Sequence, residues 1–437
     1  MISVPIMLTN IMTSSLHIID NLMIGSLGDL QLASVAQANQ LSFILRVTLF
    51  GIQSGCSIFV AQHWGNKSVE GIRRTLGISL VSAAGIAFLA AVLATVFPTQ
   101  VMRIYILDEN AIRLGAEYLR TVGPSFLMIG IASIYNTANR ATERVRVNLI
   151  AAASGIVTNV FLNWCLIFGN LGFPRMEVRG AALATAIAVC VDACILIGWT
   201  YYKKYPAAAK LNEMRPRSTA FIKGYYWVAV PVMLNEGLWS TGVSVYAAVY
   251  GRMSTQAVAA MNVFNTVDQV IMAAIFGIMN AASVMVGKRI GAGEELEAYN
   301  CARRMMYMSV VTSFFMGAVL LFTRHEIVQI FNISQEAKDS AVLVMGVACV
   351  LMSIRAYNSV NVVGVLRAGG DAIFSMLLEG GGVWLIGVPL AILGGLVLKQ
   401  PLWVVYMMIY TEEAVKCVIG SIRFRSRKWI HNLVRTP

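Results

Sequence analysis

Asp20 lies in HIIDNLMIG, a run with no other Asp, Glu, Lys or Arg, and no turn residue follows it until Gly25. A carboxylate inside such an apolar run costs about 2.5–3.5 kcal/mol on membrane-insertion scales. It therefore serves ion or substrate handling, a structural pair with Arg46, or a helix-end cap. Asn159 and Asn163 in TNVFLNWCLIFG are four residues apart, which puts both amides on one helix face. Ala181 and Thr185 in RGAALATAI repeat that spacing; small residues there equally let helices approach closely. Asp20, Asn159, Asn163, Thr185 and the Ala181 carbonyl together make a candidate oxygen cage. One carboxylate among neutral oxygens suits a hard monovalent cation.

A second candidate is Glu236, five residues after Pro231 in VPVMLNE. Proline inside a helix removes a hydrogen bond and frees the carbonyl four residues back, here that of Trp227. Pro231 is thus a candidate hinge beside a titratable group that exchanges protons or pairs with a cationic ligand. The remaining charges in apolar runs read as structural. Glu412 and Glu413 pair locally with Lys416, Asp268 and Glu379 bond within their own half, and Asp192 lies beyond Thr185. Arg46 and Arg355 are the guanidiniums inside such runs.

These side chains need a frame. Hydrophobic residues make up 57% of the chain and charged residues 13%, against about 25% charged in soluble domains, so lipid must form part of the solvent. Twelve stretches are long and apolar enough to cross a bilayer as helices: 3–24, 32–63, 76–98, 117–139, 146–169, 179–201, 224–250, 257–287, 305–323, 341–366, 373–397 and 402–422. Their apolar runs are continuous, whereas membrane strands alternate. The first has neither a basic leading region nor a cleavage site and reads as a span, not a signal peptide.

Lys and Arg number 22 after even-numbered spans, Arg140 and Arg367 among them, and 8 after odd-numbered ones. That bias places the even-side loops and both termini in the cytoplasm. It also accounts for the net charge of +12 without nucleic acid. The long basic segment 202–223 divides an N-terminal six-helix lobe, 1–201, from a C-terminal one, 224–437. The seven cysteines and four histidines show no zinc spacing, and no glycine loop for a nucleotide is present. The 23 Met and 8 Trp suit an adaptable apolar cavity, or simply core packing.

The two lobes share sequence. Val4-Pro5-Ile6-Met7-Leu8 returns 226 positions later as Val230-Pro231-Val232-Met233-Leu234, and Phe50-Gly51-Ile52 as Phe276-Gly277-Ile278. Ser57 matches Ser283, Gly65 matches Gly291, and Asn139-Arg140-Ala141 corresponds to Leu366-Arg367-Ala368 one position further on. Each copy holds an even number of spans, so the halves enter the membrane in the same orientation, a parallel repeat of the kind built into transporters. The copies differ where it matters: Asn10 stands in the position of Glu236.

Several segments resemble the multidrug and toxic compound extrusion (MATE) family, in its NorM/DinF-like bacterial branch. They are VPIMLTN with IIDNLMIGSLGDLQLASVA, TNVFLNWCLIFGNLGFPRMEVRGAALAT, VPVMLNEGLWS, and WLIGVPLAILG with WVVYMMIYTEEAVKCVIGSIRFRSRKWI. The resemblance runs in order over nearly the whole chain. It implies an all-α integral membrane protein of twelve transmembrane helices in two pseudo-symmetric six-helix bundles, arranged as a V. It implies export of organic, often cationic and amphipathic, compounds in exchange for Na⁺ or H⁺, with no other cofactor and no enzymatic activity. It carries a cation site onto Asp20, Asn159, Asn163 and Thr185, and a C-lobe acid onto Glu236. Two departures stand out. Asn163 occupies a position where some members have aspartate, and the acid expected in span ten is replaced by the Tyr357-Asn358 neighbourhood. The start is also shorter than the family's, as a truncated N-terminus would be.

The protein is therefore expected to be a monomer in the bacterial cytoplasmic membrane, with small organic molecules and lipid as its partners. Two other readings stay open at this stage. A lipid-linked precursor flippase would want a strongly cationic cavity, for which Arg46 and Arg355 are thin support. A membrane-embedded enzyme or sensor would need a catalytic constellation, and the sequence shows none.

Overall fold

The structure, a computed structural model, describes residues 9, 12, 16, 19–216, 218–331 and 333–434. Pro5, Asn10, His17, Arg217 and Arg435 lie outside the described residues. Among the described residues every regular element is helical.

Residues 19–25 close the first span as α1. Then follow α2 (Asp29–Gly65), α3 (Val69–Val96), the short α4 (Pro98–Tyr105), α5 (Glu109–Val122), α6 (Ser125–Ala141), α7 (Val145–Phe168) and α8 (Glu177–Tyr202). The second half holds α9 (Thr219–Met253), α10 (Thr255–Ala292), α11 (Glu295–Gln329), α12 (Gln335–Asn358), α13 (Ala372–Gly382), α14 (Val388–Ile392), α15 (Leu402–Ile409) and α16 (Thr411–Arg425). Three π-helical segments interrupt it: Ser359–Leu366, Val383–Gly387 and Leu393–Val397. Among the described residues, eight helical stretches are long and apolar enough to cross a membrane. The twelfth expected span is built from α15 and α16. The fourth is also two helices, because Pro124 lacks an N–H and interrupts the ladder. Ser125 Oγ donates to the Val122 carbonyl there, at 2.6 Å.

The sequence repeat returns as a repeat of caps and turns. α2 starts at Asp29 and α10 at Thr255; α3 starts at Val69 and α11 at Glu295; α5 starts at Glu109 and α12 at Gln335. All three pairs keep the offset of the sequence motifs. The Asp108 side chain caps α5 by accepting from Ala111 N at 2.8 Å, and Ser334, its counterpart, caps α12 through Ala337 N at 3.4 Å. The turn after α2 places Lys67 at φ 55°, and its counterpart after α10 is Gly293 at φ 82°. After α6 and after the first π segment the equivalent residues are Glu143, φ 64°, and Gly370, φ 87°.

The chain divides into two compact units. Unit 1 is Met1–Trp64 with Ser68–Tyr226; unit 2 is Gly65–Lys67 with Trp227–Pro437. Unit 1 takes in the basic segment after α8. Ala207 and Ala209 are buried there, and Arg73 pairs with Glu213 at 2.6 Å. Small residues bring α7 and α8 together: a Cβ on Gly180 would fall 2.6 Å from the Leu166 carbonyl. Unit 2 has a core of Tyr246, Phe264, Met345 and Tyr406, and a second of Ile275, Met306, Phe424 and Trp429. On α11, Phe314, Phe315, Val319 and Phe322 are 63–80% exposed, an outward apolar face that calls for lipid.

One expectation needs correction. Arg367, counted above as a cytoplasmic loop cation, is 1% exposed and pairs with two glutamates. It follows directly on a π segment inside the expected tenth span's end, where lipid-side counting of Lys and Arg has no means of seeing it.

Candidate functional site

In unit 1, α1, α7 and α8 bring Asp20, Asn159, Asn163 and Thr185 into one hydrogen-bonded chain. Asn163 Nδ2 donates to Asp20 Oδ1 at 2.6 Å and lies 2.9 Å from Asn159 Oδ1. Asn159 Nδ2 donates to Thr185 Oγ1 at 3.3 Å. The four-residue spacing does this work, since it stacks the two amides on the face of α7 turned towards Asp20. Both asparagines are 1% exposed, while Asp20 and Thr185 are half-buried. Ala181, one turn before Thr185, is buried at 2% exposure. Arg46 is exposed on α2.

Asn163 Oδ1 is buried and has no hydrogen-bond partner among the described residues. A buried amide oxygen without a donor is costly. A half-turn of that amide would set its oxygen beside the Asp20 carboxylate, where a cation or a carboxyl proton would satisfy it. The donor set is all oxygen, with one formal charge, and no group of three His, Cys, Asp or Glu side chains suited to a metal occurs among the described residues. Hard oxygen ligands of this kind suit a small hard cation and not a soft transition metal. Tyr118 of α5 was not singled out from the sequence. Its hydroxyl donates to Asn39 Oδ1 at 3.3 Å, and the residue neighbours Asp20 and Thr185. A tyrosine at the edge of an otherwise apolar span is the signal that could have found it.

Unit 2 treats its acids differently. Glu236 Oε1 lies 2.9 Å from one Arg367 nitrogen, and Glu379 Oε2 lies 2.6 Å from the other. Asn235 Nδ2 donates to Glu379 Oε2 at 2.5 Å, leaving Asn235 Oδ1 buried without a partner among the described residues. Glu236 is therefore not an isolated carboxylate: two acids share one guanidinium. Pro231 sits within α9, which continues through it as one helix. Asp268 holds one guanidinium nitrogen of Arg355, Nη1, between both its oxygens, at 3.0 and 2.8 Å. Asp371 accepts from Arg423 Nε at 2.7 Å. In unit 1, Asp192 on α8 packs against Gly155 of α7, where a Cβ would come within 3.2 Å of its own.

Comparison with known proteins adds the family. A family model described as MatE matches residues 5–165 and again 231–393, so its two copies start at the offset of the internal repeat. The "Probable multidrug resistance protein YoeA" of Bacillus subtilis is 23% identical over 89% of this chain and 84% of its own length. The "Probable multidrug resistance protein NorM" of Thermotoga maritima is 22% identical over 100% of this chain and 93% of its own. Among solved structures, a MOP superfamily transporter from Pyrococcus furiosus superposes with a TM-score of 0.89 at 18% identity, covering 100% of this chain and 96% of that one. That likeness establishes the shared fold.

Proposed function

The chain belongs to the MatE family of multidrug efflux transporters, and on that premise we propose that it is a secondary active antiporter. It exports organic, cationic and amphipathic compounds in exchange for an inward monovalent cation, Na⁺ or a proton. Asp20 binds that cation, with Asn159, Asn163, Thr185 and the Ala181 carbonyl as neutral partners. One observation carries this reading: the Asn163 amide meets Asp20 at 2.6 Å while its own oxygen is buried without a donor among the described residues. The site thus has one uncompensated charge and spare acceptor capacity.

Cation binding stabilises one conformation of the transporter, and substrate competes with that state. An inward charge gains about 2.3 kcal/mol per 100 mV of membrane potential, which sustains about a fiftyfold gradient of a neutral substrate; exchange for a singly charged cationic substrate is electroneutral and is driven by the concentration gradient of the inward ion alone. Glu236 acts as a substrate or secondary coupling group in unit 2, and Pro231 lets α9 bend beside it. The protein works as a monomer in the bacterial cytoplasmic membrane, with both termini in the cytoplasm.

The test is substrate efflux from proteoliposomes under an imposed Na⁺ gradient and, separately, a pH gradient. Asp20→Asn is expected to reduce gradient-driven efflux to the passive leak at unchanged protein abundance. Wild-type efflux rates in that variant would refute the role of Asp20.

A further inference from the structure

Unit 2 carries another charged cluster, where α16 meets α9 and the end of α12. Glu412, Glu413 and Lys416 occupy one turn of α16, with Glu412 6% and Lys416 5% exposed. Two carboxylates here face one ammonium, and they are not equivalent. Lys416 Nζ lies 2.5 Å from Glu413 Oε1 but 3.6 Å from Glu412 Oε1. The other oxygen of Glu413 accepts from Asn358 Nδ2 at 2.6 Å. Glu413 thus has a donor on each oxygen, as a buried anion requires. Glu412 has Tyr246 Oη, 2.8 Å from its Oε2, and a tyrosine hydroxyl can accept as well as donate.

Among the described residues, no further positive charge faces Glu412. Arg355, which faces Glu413, is held by Asp268, and Arg367 is shared by Glu236 and Glu379. Tyr250 of α9 faces Glu412, Tyr410 faces Glu413, and Glu379 faces Lys416, so the added neighbours are neutral or acidic. Asn358, 4% exposed and directed at the cluster, keeps its Oδ1 without a partner among the described residues. Two adjacent carboxylates with one ammonium in a low-dielectric interior do not both ionise cheaply.

We propose that Glu412 is a proton-binding site of unit 2, separate from Asp20. In the protonated state its O–H is donated to Tyr246 Oη, and the Glu413–Lys416 pair stays ionised as the fixed charge beside it. Release leaves the Glu412 carboxylate accepting from Tyr246 and sends the proton to solvent. The backbone is shaped for the contact. Gly387 ends a π segment against Tyr246 Oη and Glu412 Oε2, where a Cβ would overlap both, and π segments recur at functional sites. The role of this proton in transport rests on the antiport reading; the protonation itself does not.

The test is infrared difference spectroscopy of the full chain in lipid nanodiscs, following the deuterium-sensitive carboxylic-acid carbonyl band. At neutral pH the band is expected in the wild type and in Asp20→Asn. One component of it is lost in Glu412→Gln. Glu413→Gln loses the same component, because Lys416 then pairs with Glu412; that variant also carries the test should Glu412→Gln not fold. A band of undiminished intensity in both variants would overturn the proposal. Failure of the antiport reading would appear elsewhere, as unchanged efflux in Asp20→Asn, and would leave this band as it is.

Discussion

Unit 1 sets the half-buried Asp20 among neutral partners, Asn163 and Asn159, whereas unit 2 gives Glu236 and Glu379 a guanidinium of its own. The scaffold is the same in both: helix starts at Asp29 and Thr255, caps at Asp108 and Ser334, left-handed turns at Glu143 and Gly370. Even the arginine is shared, Arg140 in one unit and Arg367 in the other. The positions equivalent to Glu236 and Glu379, however, are Asn10 and Ala152, neither of which ionises. On the proposed antiport reading, the charge at Asp20 is left for a cation from outside. In unit 2 a guanidinium already sits between the two acids. On that reading a duplicated fold keeps its geometry while one copy takes up the driving ion at Asp20 and the other balances Glu236 and Glu379 with Arg367.

The sharpest way to break this contrast is to remove the built-in cation. Arg367→Met leaves the partly buried Glu236 and Glu379 without their partner and should destabilise the protein by about 3 kcal/mol, the low end for a broken buried pair, read as a lowered thermal transition of the purified transporter. Adding Glu236→Gln and Glu379→Gln to that variant should recover most of the loss, because neutral groups need no counter-charge. If the single variant unfolds no earlier than the wild type, Arg367 does not balance those acids.

A smaller effect probes the neutral cage. Thr185→Val removes a hydroxyl while keeping the shape, and should weaken apparent cation affinity by up to about tenfold, since the hydrogen bond it loses with the neutral Asn159 amide is worth about 0.5–1.5 kcal/mol. The half-saturating Na⁺ or proton concentration for efflux measures it. Smaller again are the equivalent turns. Gly293→Ala should cost about 1 kcal/mol, because φ 82° strains any side chain. Lys67→Gly, at φ 55°, should stabilise by up to about 1 kcal/mol. Opposite signs at matched positions in the thermal transition would confirm that the turns are equivalent, and equal signs would deny it.

Much of this was legible in the chain. Continuous apolar runs marked the helices, and the four-residue spacing of Asn159 and Asn163 placed both amides on the face that meets Asp20. Arg367 was not legible, because a count of Lys and Arg after each span treats any such residue as a loop cation. Its burial depends on Glu379, which pairs with it only once α13 folds back. The break at Gly123–Pro124 was visible as a proline but lay inside an apolar run long enough for one helix. The π segments left no local signature, since Val, Gly and Leu runs fit an α-helix equally well. Glu412, Glu413 and Lys416 read as a local pair from their spacing, and the distances that make the two acids unequal come from Asn358 and Tyr246 on other helices.

On the antiport reading the driving ion is taken up at Asp20 in unit 1 and not at Glu236 in unit 2. Efflux from proteoliposomes holding Asp20→Asn or Glu236→Gln, each under a Na⁺ gradient and a pH gradient, decides between the two sites. Gradient-driven efflux should vanish in Asp20→Asn and persist in Glu236→Gln. The reverse pattern, efflux kept without the Asp20 carboxylate and lost without that of Glu236, would contradict it.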